Sequence, residues 1–259
     1  MIEVFGEVKR VLRSDGTVWL NLGFCYGSSG ATDPYRKTSS GKLMPPQGRG
    51  KAHGIWKQKD IIPIPWMTAI ALQYDGWYLR SDIIWHKPNC MPESVTDRPT
   101  KSHEYVFLLS KTKKYYYDAK AVAEPAVYAG KIKTGGRAKN DLLSDDEKNT
   151  FYRTRANFKS GVIVGDKKNL RDVWEINTEP YPGNHFAVMP TNLAKRCILA
   201  GCPVGGVVLD PFAGSGTVGA VAKSLGRDYI LIEANPDYIE LIEERIKTAK
   251  SPPTTLEDF

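Results

Sequence analysis

The chain has 259 residues, 41% hydrophobic and 25% charged, which suits one folded α/β domain with room for an insert. No apolar run is long enough to span a bilayer, and the charged, amphipathic start MIEVFGEVKRVLRSDG is not a signal peptide, so no membrane partner is expected. The net charge of +7 is concentrated: Lys111 to Arg171 holds 15 Lys+Arg against 7 Asp+Glu, which points either to a polyanion such as nucleic acid or to a solvated basic loop.

Ile2, Phe5, Val8 and Leu12 recur at helical spacing, so a helix is predicted over residues 2 to 13. Asp15-Gly16 is a turn, and TVWLNL (17 to 22) is a buried strand. Residues 24 to 60, rich in Gly, Ser, Lys and Pro, form a long loop. A helix follows from Pro63 to Tyr74, with the proline in its first turn. WYLRSDIIWH (77 to 86) and HEYVFLLS (103 to 110) are strands, and Tyr115 to Asp118 pairs nearby. Residues 119 to 180 carry no sustained period. Order returns with a helix at Thr191 to Ala200, the strand Val207 to Asp210, a helix ending at Leu225, the strand Tyr229 to Glu233 and a last helix, Pro236 to Lys250. There are no internal repeats. The four cysteines form no C-x-x-C pair and have no histidines at zinc spacing, so reduced thiols, a cytoplasmic location and no metal are expected.

LDPFAGSGTVGAVA (209 to 222) is the most informative stretch. Gly214, Gly216 and Gly219 fit G-x-G-x-x-G between a strand and a helix, where glycines let backbone approach a ligand. Glu233 ends the next strand, placed to accept both hydroxyls of a ribose. No lysine precedes Thr217, which argues against a phosphate-gripping loop. Only 26 residues follow Glu233, too few for the second half of a dinucleotide fold, so NAD and FAD are disfavoured.

The D-P-F-A-G-S-G-T run resembles the S-adenosylmethionine loop of amino-methyltransferases of DNA. IIWHKPNCMPESVTDRPTKSHEYVFLLSK (83 to 111), NLRDVWEINTEPYPGNHFAVMPTNLAKRCILAGCP (169 to 203) and GRDYILIEANPDYIELIEERI (226 to 246) extend the likeness along nearly the whole chain. The likeness is to the circularly permuted (beta) group of N4-cytosine/N6-adenine enzymes, in which the catalytic half precedes the cofactor half. It implies an α/β, Rossmann-like methyltransferase sheet divided into a catalytic-half remainder (1–110), a target-recognition insert (111–180), the cofactor half (181–250) and a tail (251–259). The implied activity is site-specific transfer of a methyl group from S-adenosylmethionine to the exocyclic amine of cytosine or adenine.

The resemblance implies that Asp210, Pro211, Phe212, Ala213, Gly214, Ser215, Gly216, Thr217 and Glu233 hold the cofactor. His185, Pro190, Thr191 and Asn192 would lie against its methionine end, a plain loop being the other reading of His185 and Pro190. Lys87, Asn89, Arg98 and Lys101 read as contacts to DNA phosphates or as a solvated loop. Lys111, Lys113 and Lys114 open the basic insert and are expected on double-stranded DNA. Tyr115 to Tyr117 would stack on a base or pack in a core.

Two features depart from the group. Its S/D/N-P-P-Y motif, which holds the reacting amine, is absent from the 259 residues, leaving the catalytic residues unassigned. TDPYRK (32 to 37), LMPPQG (43 to 48) and SPPTT (251 to 255) do not substitute for it. Phe24 stands where related enzymes usually have an acid. The expectation is an N-terminally incomplete enzyme, through truncation, a start assigned downstream or a split gene, with its central strand missing between Thr17–Leu22 and Asp210. Its partners would be DNA, the missing segment or a split partner chain, and a cognate restriction endonuclease. The rival is an inactive remnant that keeps cofactor or DNA binding.

Overall fold

The computed structural model describes residues 1–27, 55–126, 166–179 and 188–250, together with the backbone of 132–133 and 162–163. Helix α1 (Ile2–Val11) carries Glu3 in its first turn and Lys9 and Arg10 in its last, matching the helix dipole. Strands β1 (Thr17–Leu22), β2 (Cys25–Tyr26) and β3 (Ile61–Ile62) follow, β2 and β3 pairing antiparallel. Then come α2 (Ile64–Tyr74), β4 (Tyr78–His86) and β5 (His103–Ser110). Short strands β6 (Glu124–Pro125), β7 (Ile132–Lys133), β8 (Val162–Ile163), β9 (Lys167–Lys168) and β10 (Val173–Glu175) lead to the C-terminal part. That part comprises α3 (Thr191–Gly201), β11 (Val207–Asp210), α4 (Thr217–Ser224), β12 (Asp228–Leu231), a 3-10 turn (Pro236–Tyr238) and α5 (Ile239–Thr248).

The chain forms two compact units. The smaller, Ala119–Arg171, is narrower than the insert read from the sequence. In it β6 pairs β9 and β7 pairs β8, both antiparallel, and the Glu124 carboxylate accepts from Arg171 Nε at 2.9 Å with Lys168 Nζ 3.5 Å away.

The larger unit, Met1–Asp118 with Asp172–Phe259, contains a four-stranded sheet in the order β1-β5-β4-β10 and a separate parallel pair, β11-β12. The centre of β5 is buried on both faces, as its unbroken apolar run predicts: Val106, Phe107, Leu108 and Leu109 are all nearly inaccessible. Phe107 and Leu109 pack with Leu20, Phe5 and Val8 of α1, and Ala69 and Leu72 of α2. Trp19, pointing the other way, faces Gly201 of α3. Strand β11 alternates in the same sense. Leu209 joins the α1/α2 cluster, while Val208 joins Ala194 and Ile198 of α3 and Val221 and Ala222 of α4. The two sheets therefore bury side chains into the same two layers, yet among the described residues β1 is hydrogen-bonded only to β5 and β11 only to β12.

Three local readings are revised. Tyr115 to Asp118 forms no strand; its backbone is held by Tyr116 N–H to Asp15 O and Asp118 N–H to Ala200 O. Strand β10, parallel to β4, lay inside a stretch that shows no period. The last helix starts three residues late, because Asn235 Oδ1 accepts from Asp237 N–H and turns the chain through a 3-10 step first. Among the described residues no helix is long and apolar enough to cross a membrane.

Candidate cofactor and DNA site

Thr17 Oγ1 at the start of β1 donates to Gly201 O at the end of α3, and the chain enters β11 six residues later. The strands β1 and β11 thus begin at one edge of the unit and finish at the other. At the finishing edge lie the loop after Asp210, Glu233, the segment after β1 and the β4–β5 connection. This is the edge where open α/β sheets bind ligands.

The loop is held by its backbone. Ala213 N–H donates to Ile232 O, Ile232 N–H to Asp210 O, and Gly216 N–H to Ala213 O. Gly214 and Gly216 have φ of 52° and 78°, left-handed conformations that disfavour a side chain. Gly219 serves packing instead: a Cβ there would lie 2.6 Å from Leu231 Cδ1. Ser215 and Thr217 are buried, and Ser215 Oγ accepts from Arg245 at 2.7 Å.

Two carboxylates face the loop. Glu233 accepts Gly214 N–H at 2.7 Å on one oxygen and Asn235 N–H at 2.8 Å on the other. An ionised carboxylate offers about four acceptor positions, so these two bonds do not exhaust its capacity to accept from ribose hydroxyls. Asp210 Oδ1 accepts Phe212 N–H at 3.0 Å. Burial pushes the Asp210 pKa up, the Phe212 N–H opposes that, and the Glu233 charge adds to it. Phe212 and Ile232 are 56% and 54% exposed beside these carboxylates, apolar surface suited to an adenine ring.

Pro190 is buried as the N-cap of α3, and Thr191 N–H donates to Glu179 Oε2 at 3.0 Å. Thr191 and Asn192 are exposed, and a groove of about 180 Å³ joins Thr191 to Thr217 at the start of α4. His185 lies outside the described residues, as do TDPYRK, LMPPQG and SPPTT.

The residues expected on DNA divide between the two edges. Lys87, Asn89, Arg98 and Lys101 occupy the β4–β5 connection at the edge of the Asp210 loop. Lys87 is ion-paired with Glu104, whose other oxygen accepts Asn21 Nδ2. Asn89 clamps Thr178, donating to its carbonyl and accepting its N–H. Arg98 pairs with Glu93 at 2.6 Å and lies over the Tyr26 ring. Lys101 lies over Phe24. Lys111, Lys113 and Lys114 follow β5, which runs antiparallel to β1, and so sit at the opposite edge. At about 3.4 Å per residue the eight residues of β5 separate the two sets by roughly 24 Å. Lys111 Nζ donates to Leu12 O at the end of α1, whereas Lys113 and Lys114 are exposed.

The tyrosines make internal contacts. Tyr117 stacks on Trp19, with centroids 6.4 Å apart, and Arg80 lies over the Tyr115 ring. All four cysteines are free thiols, and burial pushes Cys197 up to about 12, which leaves it unreactive. Among the described residues no group of His, Cys, Asp and Glu is arranged to hold a metal. The sequence reading missed the cluster of Phe24, Lys101, His103 and Tyr105, and the His86–Glu175 pair at 3.5 Å; aromatic and basic residues on both sides of a turn were the available signal.

A glycine loop after one parallel strand, a carboxylate at the end of the next and a basic connection at the same sheet edge are the arrangement of a Rossmann-like nucleotide-binding protein. Comparison with known proteins specifies it. The family described as DNA methylase matches residues 1–244, and the chain belongs to this family. It is 48% identical over 250 residues to the type II methyltransferase M.SmaI of Serratia marcescens, covering 95% of this chain and 72% of that one. It is 43% identical over 253 residues to M.Cfr9I of Citrobacter freundii, covering 95% and 70%. Its fold is similar to that of a DNA modification methylase from Thermus thermophilus, solved with S-adenosyl-L-methionine, at 20% identity, a TM-score of 0.54, and coverage of 97% and 78%. The protein is an S-adenosylmethionine-dependent DNA methyltransferase of the N4/N6 type.

Proposed function

We propose that this chain supplies the cofactor edge and one DNA-facing edge of a site-specific modification enzyme with the permuted order of halves. The observation that carries this reading is the pair of unfilled strand edges. β1 and β11 contribute to the same layers but share no hydrogen bonds, and neither has a partner on its facing side among the described residues. A strand bearing S/D/N-P-P-Y, the motif the 259 residues lack, would lie between them and finish at the cofactor edge. It would be provided by a further segment of the protein or by a partner chain.

The residues present suit the methyl donor. Glu233 would hold the ribose, the backbone of Gly214 to Gly216 would lie against the nucleoside, and Phe212 with Ile232 would flank the adenine. Pro190, Thr191 and Asn192, with His185, would border the methionine end. The cofactor supplies a sulfonium-bound methyl group. When bound, it would offer that methyl group to the exocyclic nitrogen of a flipped base. The chain contributes placement, and the amine is oriented by the strand that completes the sheet.

Double-stranded DNA would lie along the β4–β5 connection, with Lys87, Asn89 and Arg98 shaping it through their internal pairings. Lys111, Lys113 and Lys114 would touch DNA on the opposite edge. The cellular setting is cytoplasmic, alongside a restriction endonuclease of matching specificity. The rival reading is a remnant that binds without turning over. Calorimetric titration with S-adenosylmethionine and its demethylated product tests the cofactor edge. Tighter binding of NAD than of either would overturn the reading.

A further inference from the structure

The Lys101 ammonium lies 3.9 Å from the centroid of the Phe24 ring and 3.3 Å from His103 Nε2. Phe24 is braced edge-on by Tyr105 at 5.6 Å and His103 at 6.4 Å, and Tyr105 is braced in turn by Trp66. Three neighbouring cations each have a carboxylate: Lys87 has Glu104, Arg98 has Glu93 and Lys59 has Asp97. Among the described residues no carboxylate side chain lies within ion-pair distance of the Lys101 ammonium.

A half-buried ammonium with no carboxylate at ion-pair distance among the described residues is costly, and the shifts of Lys101 and of its neighbour His103 show it. Burial and the Arg98 charge push the Lys101 pKa down, with Glu93 opposing. Burial, then Lys101, His86 and Lys87, push His103 down, and an ammonium, which can only donate, would find its acceptor in His103 Nε2. Lys101 cannot retreat into solvent without leaving the Phe24 face, where the ring's negative quadrupole holds it. The arrangement fixes one positive charge at the cofactor edge and leaves its outward side to an anion.

We propose that Phe24 and His103 are positioning residues that hold the Lys101 ammonium as the seat for one backbone phosphate of the DNA strand at the cofactor edge. This rests on the methyltransferase reading above. It assigns a role to Phe24 and His103, and it separates Lys101 from Lys87, Asn89 and Arg98, which are spent on internal contacts.

The test is the affinity of the 259-residue chain for a fluorescent duplex, measured by anisotropy between 50 and 200 mM salt, with binding of the demethylated cofactor as a fold control. Lys101→Met is expected to make the slope of log K against log salt less steep by about 0.9, the value for one phosphate contact. Lys101→Gln is a second variant if the first fails to fold. Phe24→Leu is expected to weaken binding about two- to five-fold at fixed salt, the range for one cation–π contact, and Phe24→Tyr to restore it. In the Lys101→Met background Phe24→Leu should add nothing, because the ring acts through the ammonium. A parental slope for both Lys101 variants overturns the proposal, as does an equal Phe24→Leu loss with and without Lys101. Loss of cofactor affinity in Lys101→Met with an unchanged DNA slope would give the ammonium to the cofactor's carboxylate instead, also overturning it. No duplex binding by the parent would overturn the DNA reading itself, and this proposal with it.

Discussion

Replacing Glu233 by alanine removes one side chain that does two jobs. In the free protein its oxygens accept Gly214 N–H at 2.7 Å and Asn235 N–H at 2.8 Å. The site is half-buried, so water replaces these acceptors only in part, and the cost is about 1–3 kcal/mol in all. For a domain of this size that corresponds to a fall in Tm of about 2–12 °C. In the complex the same carboxylate would accept the ribose hydroxyls. Losing a charge-assisted contact of this kind costs about 1.5–3 kcal/mol, or roughly 10- to 150-fold in Kd. Glu233→Gln keeps one oxygen but turns an amide N–H₂ toward a backbone donor, so its stability should fall between the two. Calorimetry with the demethylated cofactor, alongside thermal melting, separates the effects. Binding by Glu233→Ala within two-fold of the parent would refute the assignment of the ribose to this residue.

Further perturbations have expected outcomes. The raised Asp210 pKa means that the native state holds more protons than the unfolded chain just above the ordinary carboxylate value of 3.8, so this group's contribution to stability falls as pH rises through that window. Asp210→Asn should therefore be more stable than the parent at neutral pH in urea melts, with the gap closing as the pH falls toward 3.8. Gly216→Ala should cost about 1–2 kcal/mol from the left-handed backbone alone, more if its Cβ, 3.2 Å from Ile242 Cα, forces α5 to shift; urea denaturation reads this. Lys113→Ala with Lys114→Ala should flatten the salt dependence of duplex binding by about 0.9 per phosphate lost while leaving Tm unchanged, whereas Lys111→Ala should lower Tm, because its ammonium holds Leu12 O.

The parts of the fold written in continuous or periodic apolar runs were legible. HEYVFLLS is buried from both sides and reads as such, and VVLD followed by glycines announces β11 and its turn. Strand β10 was not legible, because three residues carry no period and its place is set by pairing with β4. The glycine loop could be read as strand, turn and helix, since those signals lie within one short unit. The basic residues could not be sorted. Lys101 and Lys111 are near in sequence, but β5 carries them to opposite edges. Whether Lys87, Asn89 and Arg98 are free depends on Glu104, Thr178 and Glu93, which only the folded connection brings to them. Phe24 read as an unexplained departure from related enzymes, because Lys101 meets it only through the pairing of β1 with β5.

The central claim is that these residues hold the methyl donor while a separate strand must hold the amine. It is tested most directly by methyl transfer from labelled S-adenosylmethionine to mixed-sequence duplex DNA. The assay compares the 259-residue chain alone with the same chain supplied, fused ahead of residue 1, with an S/D-P-P-Y strand and its flanks from a family member. The account predicts incorporation at an exocyclic amine, at one recognition sequence, only when the strand is supplied. Sequence-specific turnover by the 259-residue chain alone would contradict it and return attention to TDPYRK.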